Sequence, residues 1–453
     1  MQDNPCLHFI EKNKSKALIV YIHDEIECSA TGQAGHWWLH RSLNKLEKSY
    51  KDELKIQLII QKGDAESILA KLIKKYKITQ VVWNRLYSPN SIERDSNLKK
   101  SFKDQGIEVE TFNGHLLNEP WEVQNNSGQY FKVFTPYWKK AWQTYLEKKY
   151  LPLTIKTIKS LPHSEKNQAN FLPAKKWYEK FENIWTPGEQ AAHQQLQSYI
   201  SDNLSVYKEA RDRPDLDQTS KLSPYLRFGE ISARSIIHEI LKSKKQGPSV
   251  ITYISEIGWR EFSYSLLYYS KNLSRTPINE KFQKFPWRKN DQDFQSWRRG
   301  KTGIPLVDAA MKQIYALGWM HNRLRMVVGS FLVKNLLINW TEGEKYFQET
   351  LLDYDEASNA AGWQWIAGCG ADAAPYFRVF NPILQSERFD PQASFILKYL
   401  PQLQVFKKSS LIFEPYLEQT LLKQLIEKYS YSKPIVNLKD SRNRALQAYQ
   451  RIK

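Results

Sequence analysis

Two carboxylates, one amide and two indoles stand close together in a single stretch of the chain. Asp353 and Asp355 are two residues apart, and Asn359 follows them. Trp363 and Trp365 end the stretch. Carboxylates accept hydrogen bonds from ligand hydroxyl or ring N–H groups, and the small residues in between leave room for a flat molecule against the backbone. If the stretch is helical, the two carboxylates point to different faces, so one can pair with a cation while the other holds a ligand.

A second set of residues at helical spacing lies shortly before that stretch. Asn322, Arg325 and Met326 fall at i, i+3 and i+4, so a helix places an amide, a guanidinium and a thioether on one face. If Arg325 is buried it requires an acid, and the two carboxylates just described are the available partners. The alternative is a helix terminus with a capping amide, in which His321 is a structural histidine.

An acid, an indole and a guanidinium form a third set. Glu256, Trp259 and Arg260 also fall at i, i+3 and i+4 of a helical pattern, so they share a face. This mixture is unusual for a core and favours a ligand site. The alternative is a salt bridge between Glu256 and Arg260 beside a core tryptophan.

A hydroxyl-rich turn precedes a predicted helix. Thr219, Ser220, Lys221 and Ser223 come just before Pro224, and such a turn offers hydroxyl and backbone N–H donors to a phosphate. The alternative is an ordinary helix cap. Taken together, these sets predict a site for an aromatic cofactor that carries phosphate.

Composition sets the class of protein. The chain has 453 residues, enough for two or three domains, and a net charge of +18, which attracts phosphate backbones or anionic membranes unless it is only a solvated basic surface. No apolar run reaches the roughly 20 residues of a membrane span, and the polar start predicts no signal peptide. The three scattered cysteines favour a reducing cytoplasm over a disulfide framework or a metal site.

Strand and helix patterns alternate in the first part of the chain, 1–115. The predicted strands are 17–22, 54–60, 78–83 and 107–112, and the predicted helices are 36–48, 64–76 and 91–104. Strands separated by helices predict an α/β domain with a parallel sheet. Asn4 and Pro5 predict that the chain opens on a helix, with no strand before it.

The rest of the chain changes character twice. Residues 116–187 are rich in proline and aromatic residues, which predicts a long connection lying over other surfaces rather than a flexible linker. Helical periodicity dominates 188–453, so this part is predicted to be all-α. The predicted helices there are 189–200, 232–242, 250–269, 306–316, 321–337 and 342–351.

At these motifs the chain resembles the photolyase/cryptochrome family, and more narrowly the class I cyclobutane pyrimidine dimer photolyases. The resemblance follows the chain in order and covers nearly all of it. It implies an α/β (Rossmann-like) antenna domain, a long connection and an all-helical FAD-binding domain. The segments that carry it are 219–229 (TSKLSPYLRFG), 259–262 (WREF), 319–326 (WMHNRLRM), 353–365, 372–382 (DAAPYFRVFNP) and 135–138 (TPYW).

The resemblance implies FAD as the cofactor. Asn359 matches the residue that faces the redox-active nitrogen of the flavin, and Arg325 would place a positive charge near a reduced, anionic flavin. The residues that match cofactor contacts are Tyr207, Thr219, Ser220, Lys221, Leu222, Ser223, Tyr253, Arg325, Asp353, Tyr354, Asp355 and Asn359.

The implied reaction is light-driven repair of ultraviolet-damaged DNA by a monomeric carbon–carbon lyase. Reduced FAD gives an electron to a pyrimidine dimer flipped out of the duplex, and the cyclobutane ring opens. The residues that match catalytic positions are Glu256, Asn322 and Met326, and those that match an electron path to the flavin are Trp287, Trp340 and Trp363. The residues that match DNA contacts are Arg211, Glu256, Trp259, Arg260, Asn322, Arg323, Trp365 and Gln385.

Two departures from the family pattern concern the antenna domain. The family begins with a strand before the Asp-Asn-Pro found here at 3–5. Either translation starts upstream of Met1, or the sheet lacks its first strand. A second, light-harvesting chromophore is either a methenyltetrahydrofolate or a deazaflavin. Asn90 fits the pterin pattern, but Ser91 stands where an acid is common.

Two other functions remain open at this point. A cryptochrome-type blue-light receptor binds FAD without repair, and a basic DNA-binding scaffold could retain a vestigial flavin pocket. The set of Glu256, Trp259, Asn322, Met326 and Trp365 favours repair over both.

Overall fold

A computed structural model describes residues 1–168, 170–270, 272–373, 378–407 and 409–453, without the side chains of Glu27 and Cys28. The chain forms two compact units. The first unit comprises Met1–Ser205, Ser220–Asn272 and Leu352–Ser358. The second unit comprises Val206–Thr219, Leu273–Leu351 and Asn359–Lys453. The four residues 374–377 of the motif at 372–382 lie outside the described part of the chain.

The first unit opens on a helix, α1, Pro5–Lys12. The side chain of Asn4 accepts hydrogen bonds from the backbone N–H groups of Cys6 and Leu7, and Pro5 occupies the first turn. A capping amide oxygen followed by proline is the local chemistry that starts a helix. The prediction that the chain opens on a helix is confirmed.

Parallel strands and helices then alternate. The strands are β1 (Lys16–Ala17), β2 (Ile19–His23), β3 (Leu58–Lys62), β4 (Gln80–Asn84), β5 (Glu108–Phe112) and β6 (Lys159–Ser160). The helices among them are α2 (Glu25–Ser29), α3 (Gln33–Ser49), α4 (Ala65–Tyr76), α5 (Pro89–Asp104) and α6 (Phe134–Glu147). The predicted α/β architecture with parallel strands is confirmed.

The strands pair two by two. β2 pairs with β3 with Ile19 opposite Leu58, β4 pairs with β5 with Gln80 opposite Glu108, and β1 pairs with β6. Within the described ranges these are three separate two-stranded ladders rather than one continuous sheet. Strand β3 starts later than predicted, because Tyr50–Leu54 forms a π-helix and Lys55 adopts a left-handed conformation with φ 58°.

Two apolar clusters hold the helices on these ladders. Leu39 and Leu43, four residues apart on α3, meet Leu58 and Ile60 of β3. Leu98 and Phe102, four residues apart on α5, are buried in a second cluster together with Val109 of β5. Residues at i and i+4 lie on one side of a helix, which is why these pairs face the strands.

The connection 116–187 carries structure of its own within the first unit. It contains a 3-10 turn at Pro120–Glu122, helix α6, and a 3-10 helix at Trp177–Asn183. Tyr137, Ala141 and Tyr145 of α6 are buried. The predicted domain boundaries at 115 and 187 stay predictions, since the two compact units are defined by contacts and not by these positions.

Beyond residue 188 the described chain contains helices and no strand. The helices are α7 (Glu189–Asp202), α8 (Tyr207–Ala210), α9 (Ser223–Arg227), α10 (Ala233–Lys242), α11 (Pro248–Tyr269), α12 (Asp291–Arg298), α13 (Pro305–Leu317), α14 (Asn322–Ser330), α15 (Trp340–Thr350), α16 (Glu356–Ala367), α17 (Pro382–Phe389), α18 (Ser394–Tyr399), α19 (Gln419–Tyr429) and α20 (Leu438–Gln450). The all-α prediction is confirmed for this part.

One predicted helix is divided in two. The pattern over 321–337 predicts a single helix, but α14 ends at Ser330 and a π-helical turn follows at Phe331–Asn335. Val327, Val328 and Phe331 are buried on both sides of this change, so apolar spacing alone does not reveal it. None of the described helices is both long and apolar enough to cross a membrane.

Candidate functional site

The hydroxyl-rich turn of the first unit has the predicted form. Lys221 adopts the left-handed conformation with φ 52°, and the backbone N–H of Leu222 donates to Oγ of Ser220 at 3.4 Å. Nε2 of Gln195 donates to the carbonyl oxygen of Ser220 at 3.0 Å. Helix α9 begins directly afterwards at Ser223. A tight turn thus presents a lysine and two serines at the start of a helix.

Helix α11 carries the predicted acid and indole. The ring of Trp259 stacks on Phe134, with 3.8 Å between the centroids and 8° between the planes. Glu256 lies three residues earlier on the helix and is half-buried. Tyr253, one turn further back, is buried against Tyr199 at 4.8 Å, and burial raises the pKa of its phenol.

Arg260 is held by other residues of the first unit. Its Nη1 donates to Oε1 of Glu261 at 2.9 Å, and its Nη2 lies 2.7 Å from Nε2 of His115. Burial, followed by the charge of Arg260, lowers the pKa of His115, so this imidazole is neutral. Two of the guanidinium N–H groups are therefore engaged by other residues of the protein. The predicted DNA contact of Arg260 stays untested.

A series of close polar contacts leads from Arg260 to one of the two carboxylates. Nε2 of His115 lies 2.7 Å from the hydroxyl of Tyr264. That hydroxyl donates to Oδ2 of Asp355. Oδ1 of the same carboxylate accepts from the backbone N–H of Ser358 at 2.8 Å, so Asp355 caps α16.

The segment 353–355 is not helical. Asp353 and Asp355 are 8% and 9% exposed and lie just before α16, so the case in which both carboxylates sit on one helix does not apply. Nε of Arg227 donates to the carbonyl oxygen of Tyr354 at 2.6 Å. Arg227 and Tyr264 thus fix this segment within the first unit.

In the second unit, α14 begins with an imidazole cap. Nδ1 of His321 accepts from the backbone N–H of Arg323 at 3.2 Å, whereas the predicted alternative was a cap by an amide. Burial and the positive charges of Arg323, Arg325 and Arg211 lower the pKa of His321 to about 4, against a raising effect of a nearby carboxylate. His321 is neutral and structural, as expected, and the amide of Asn322 is exposed on the first turn.

The arginines of this region are oriented by neighbours within the second unit. Nη2 of Arg323 lies 2.8 Å from Oδ2 of Asp212, and its guanidinium is 4.4 Å from the ring centroid of Phe389. Nε of Arg325 donates to the carbonyl oxygen of Met320 at 2.8 Å. The guanidinium of Arg211 lies 5.6 Å from the ring centroid of Tyr207. Ring stacking and hydrogen bonds restrict the rotamers of these long side chains.

The amide of Asn359 has a defined orientation. Its Nδ2 donates to the carbonyl oxygen of Glu344 at 3.2 Å and to Oε1 of the same residue at 3.1 Å. Both partners are acceptors, so the NH₂ end must point at Glu344. The opposite, carbonyl end of the amide therefore faces away from Glu344.

The three predicted electron-path tryptophans differ in their exposure to solvent. Trp363 and Trp340 are 1% and 2% exposed, and Trp287 is half-buried. Trp363 also contacts Trp297, a residue that the sequence did not point to, with ring centroids 6.3 Å apart. Only tertiary structure brings these two rings together. Gly343 makes the packing possible, because a Cβ there would lie 2.2 Å from Cη2 of Trp363.

The predicted site residues divide between the units. Those of the second unit include Met326 and Trp365, both half-buried, and Gln385 on α17. The predicted cofactor residues of the first unit are Ser220, Lys221, Leu222, Ser223, Tyr253, Asp353, Tyr354 and Asp355. Those of the second unit are Tyr207, Thr219, Arg325 and Asn359.

The antenna positions lie at the start of α5. Ser88 caps this helix by accepting from the backbone N–H of Ser91 at 3.3 Å, and the two serine hydroxyls are 2.8 Å apart. Asn90 is exposed. A cavity of about 400 Å³ in the first unit is lined by residues that include Ser91, His115 and Asp355.

Comparison with known proteins agrees with this geometry. Residues 1–155 match the family described as DNA photolyase, and residues 253–451 match the FAD binding domain of DNA photolyase. The deoxyribodipyrimidine photo-lyase of Agrobacterium fabrum (strain C58) is 40% identical over 464 residues, which cover 100% of this chain and 96% of that protein.

Solved structures share the fold over the whole chain. A bacterial class III photolyase from Agrobacterium tumefaciens matches with a TM-score of 0.93 and 39% identity, covering 100% of this chain and 95% of that one. The cryptochrome of Synechocystis sp. PCC6803 matches with a TM-score of 0.88 and 28% identity, covering 100% and 96%.

The chain is therefore a flavoprotein with an α/β domain and a helical FAD-binding domain. It belongs to the photolyase/cryptochrome family. The narrower expectation of class I stays a prediction, because the similar structure from Agrobacterium tumefaciens is that of a class III photolyase.

Proposed function

We propose that this protein is a deoxyribodipyrimidine photo-lyase, which uses light and reduced FAD to split cyclobutane pyrimidine dimers in damaged DNA. The match to the curated relative of that name over the whole chain supports it. The single observation that carries it is the stack of Trp259 on Phe134 at 3.8 Å. This stack gives a rigid indole three residues from Glu256, and a flipped-out base is held by stacking and by hydrogen bonds to its edge.

The chemistry of the proposed cofactor residues fits FAD. In the first unit the turn at 220–223 offers serine hydroxyls and a lysine, which suit a pyrophosphate. The buried carboxylates of Asp353 and Asp355 offer acceptors for ring N–H or ribose hydroxyl groups. In the second unit the amide of Asn359 is oriented by Glu344 and can hydrogen-bond a ring nitrogen. All twelve predicted cofactor residues are proposed to contact FAD.

FAD, when bound, reduced and excited by light, supplies the electron that opens the cyclobutane ring. The protein's own residues position the dimer and its charge. Glu256 is proposed to donate a hydrogen bond from its carboxyl group to a dimer carbonyl, which stabilises negative charge on the dimer. Trp259 stacks on one flipped base, and Asn322 and Met326 of α14 are proposed to contact the dimer as well.

Positive charge is proposed to bind the DNA backbone. The chain carries a net charge of +18. Arg323 is restrained by Asp212 and Phe389, so its guanidinium is pre-oriented for a phosphate. Arg211 and Gln385 are proposed as further DNA contacts, and Trp365 as a second ring against the flipped bases.

The test is light-dependent repair. FAD-loaded, reduced protein is incubated with an oligonucleotide that contains one thymine dimer, under blue light and in darkness. Loss of dimers in light but not in darkness supports the proposal. Binding of FAD without any loss of dimers would instead favour a cryptochrome-type receptor and would overturn it.

Substitution of Glu256 tests the assigned role. Glu256→Ala is expected to lower the number of dimers repaired per absorbed photon while FAD stays bound. Glu239→Ala serves as the matched control, because it removes another acid of the first unit whose carboxylate bonds only the exposed Gln197 and Lys242 in the described structure. Loss of FAD from the Glu256→Ala protein would refute the role in dimer binding.

A further inference from the structure

The second unit contains a cavity of about 700 Å³ that the proposed FAD and dimer contacts leave almost unused. Of the residues with a proposed role, its walls include only Gln385. Three parts of the chain form these walls together with Asn335, namely 378–385, 414–416 and 437–442. Its size falls within the range of about 300–1,000 Å³ that small-molecule sites occupy.

Positive charge dominates the rim. Arg378, Lys439 and Arg442 line the cavity, all three exposed, against one acid, Glu414. The carboxylate of Glu414 accepts a hydrogen bond from the hydroxyl of Tyr416 at 2.7 Å. Three cations against one acid favour an anion.

Two helices begin at this cavity and add to its positive potential. Asn381 caps α17 by accepting from the backbone N–H of Ile383, and Asn437 caps α20 by accepting from those of Lys439 and Asp440. Both capping residues line the cavity. The N-terminal end of a helix carries a partial positive charge, which favours a phosphate or carboxylate nearby.

A buried amide on the cavity wall supplies an independent signal. Asn335 is 1% exposed, and its Nδ2 donates to Oγ of Ser441 at 2.9 Å. The Ser441 hydroxyl itself donates to the carbonyl oxygen of Leu438, so it must accept from Asn335, and this fixes the orientation of the amide. Oδ1 of Asn335 is left without a hydrogen-bond partner among the described residues.

A second acceptor on the same walls is also unsatisfied. Oε1 of Gln385 is buried and has no hydrogen-bond partner in the described structure. A buried acceptor without a donor is unfavourable, and a ligand N–H group would satisfy it. The two amide oxygens therefore favour a ligand with N–H donors, whereas the cations at the rim favour an anionic group.

Apolar side chains complete the walls. Val379, Phe380, Leu384 and Leu438 lie among the polar groups, and Leu384 is 59% exposed. Apolar and aromatic side chains suit the faces of a heteroaromatic ring. An anion, an N–H edge and a flat ring occur together in one common class of ligand, the nucleotides.

We propose that this cavity binds a nucleotide, with its phosphate at the rim cations and an amino or imino edge of its base at Oδ1 of Asn335. The nucleotide is supplied either by a DNA strand or as a free mononucleotide. The expected source is a DNA strand, and this part rests on the proposed DNA-repair function. The cavity is thereby a nucleotide site additional to those assigned to FAD and to the dimer.

Binding by FAD-loaded protein tests the phosphate contacts. The probes are a fluorescent lesion-free oligonucleotide of six deoxyadenosines and free deoxyadenosine monophosphate. Lys439→Ala/Arg442→Ala is expected to weaken binding about tenfold and to reduce the slope of log affinity against log salt by about 1.4, because two cations are removed. Lys423→Ala/Lys428→Ala is the charge-matched control, since both lysines lie on α19 and do not line the cavity.

Base recognition is tested separately. The wild-type protein is expected to bind the deoxyadenosine oligonucleotide about fivefold more tightly than one whose purines lack the amino group, as one hydrogen bond of ordinary strength would give. Asn335→Leu is expected to remove this preference without changing the salt dependence. If Asn335→Leu prevents folding, the Lys439→Ala/Arg442→Ala variant still tests whether the cavity binds a nucleotide.

The outcomes distinguish the two sources of the nucleotide, and they distinguish the nucleotide site from the proposed repair function. Tight binding of the oligonucleotide with weak binding of the mononucleotide assigns a DNA strand, and comparable binding assigns a free nucleotide. Equal losses in the cavity and control variants, or no loss in either, overturn the proposal. Dimer repair is measured on the same proteins. If nucleotide binding is intact but dimers are not repaired, only the proposed repair function is rejected. If dimers are repaired but the cavity variants bind nucleotide like the wild type, only the nucleotide site is rejected.

Discussion

Asn359 donates from Nδ2 to both the backbone carbonyl oxygen and the carboxylate of Glu344, at 3.2 and 3.1 Å. Glu344 is 1% exposed, so water does not replace it as the acceptor. The pair therefore fixes which end of the amide points away from Glu344. Under the proposed function, that end is the one available to the flavin.

Replacing Glu344 is expected to loosen this orientation. Glu344→Leu removes the carboxylate acceptor at nearly the same volume and leaves only the backbone carbonyl oxygen to hold Asn359. The amide is then held less firmly, and the reduced flavin is expected to be reoxidised in air about fivefold faster. The measurement is the return of oxidised-flavin absorbance after photoreduction.

Glu344→Gln is the conservative control for that experiment. Its side-chain oxygen still accepts from Asn359, so reoxidation is expected to stay close to the wild-type rate. Equal rates for the Leu and Gln variants would mean that the carboxylate does not orient the amide.

Local elements of this fold follow from the sequence, whereas the contacts that complete the site do not. Apolar residues at three-and-four spacing predict α11, and an amide oxygen followed by proline predicts the start of α1. The bond from Tyr264 to Asp355 joins residues 91 positions apart, and no periodicity encodes it. The stacked rings of Trp259 and Phe134 are still further apart in sequence.

Residue spacing leaves two local features of the backbone undetermined. A helical segment 353–355 would place its two carboxylates on different faces, but the Asp355 carboxylate accepts from the N–H of Ser358 and so starts the helix after itself. The π-helical turn at Phe331–Asn335 interrupts a pattern that remains apolar throughout. At Asp355 a side-chain hydrogen bond decides where the helix begins, and residue spacing alone does not indicate it.

Tyr264→Phe is expected to weaken the first unit near Asp355. The substitution removes a hydroxyl that donates to a buried carboxylate, and hydrogen bonds to charged groups contribute about 1.5–3 kcal/mol. The free energy of unfolding in urea is expected to fall by that amount, and FAD is expected to dissociate more readily. Tyr268→Phe, on the same helix, is the control, because its hydroxyl makes no hydrogen bond within the described ranges. A similar loss in both variants would contradict the assigned bond.

Gly343→Ala is expected to destabilise the second unit. The new Cβ would lie 2.2 Å from Cη2 of the buried Trp363 ring, and overpacking costs about 1–3 kcal/mol, partly offset by about 1 kcal/mol from the better helix propensity of alanine. Gly362→Ala on α16 is the control, since its Cβ meets no described atom within 4 Å and should be neutral or stabilising. Urea unfolding of the two variants gives the comparison, and a stable Gly343→Ala protein would show that Trp363 can move.

His321 is expected to make stability depend on pH. Burial and neighbouring arginines lower its pKa to about 4 in the folded protein, from 6.5 in the unfolded chain. The unfolded chain therefore binds this proton first, so stability is fully present above pH 6.5 and is lost as the pH falls toward 4, by at most about 3 kcal/mol. The free energy of unfolding, measured in urea between pH 7.5 and 4, reports this loss.

His321→Asn isolates the contribution of that one histidine. Asparagine keeps an oxygen that can cap α14 but does not titrate. The variant is expected to lose less stability than the wild type between pH 6.5 and 4, whereas other buried histidines such as His23 act equally in both proteins. Parallel pH profiles for the two proteins would show that His321 is already protonated or solvated in the fold.

Trp287→Phe is expected to slow photoreduction of oxidised FAD while sparing repair by enzyme that has been reduced beforehand. Trp287 is half-buried, whereas Trp340 and Trp363 are buried, so Trp287 is the member of the proposed electron path that meets solvent. Phenylalanine keeps the contact with Phe285, whose ring centroid lies 4.4 Å away, but is much harder to oxidise. Flavin absorbance under illumination measures the first effect, and dimer loss after chemical reduction measures the second. Equal losses in both assays would assign Trp287 to structure or to DNA binding, and Trp297→Phe then tests whether the ring 6.3 Å from Trp363 carries the electron instead.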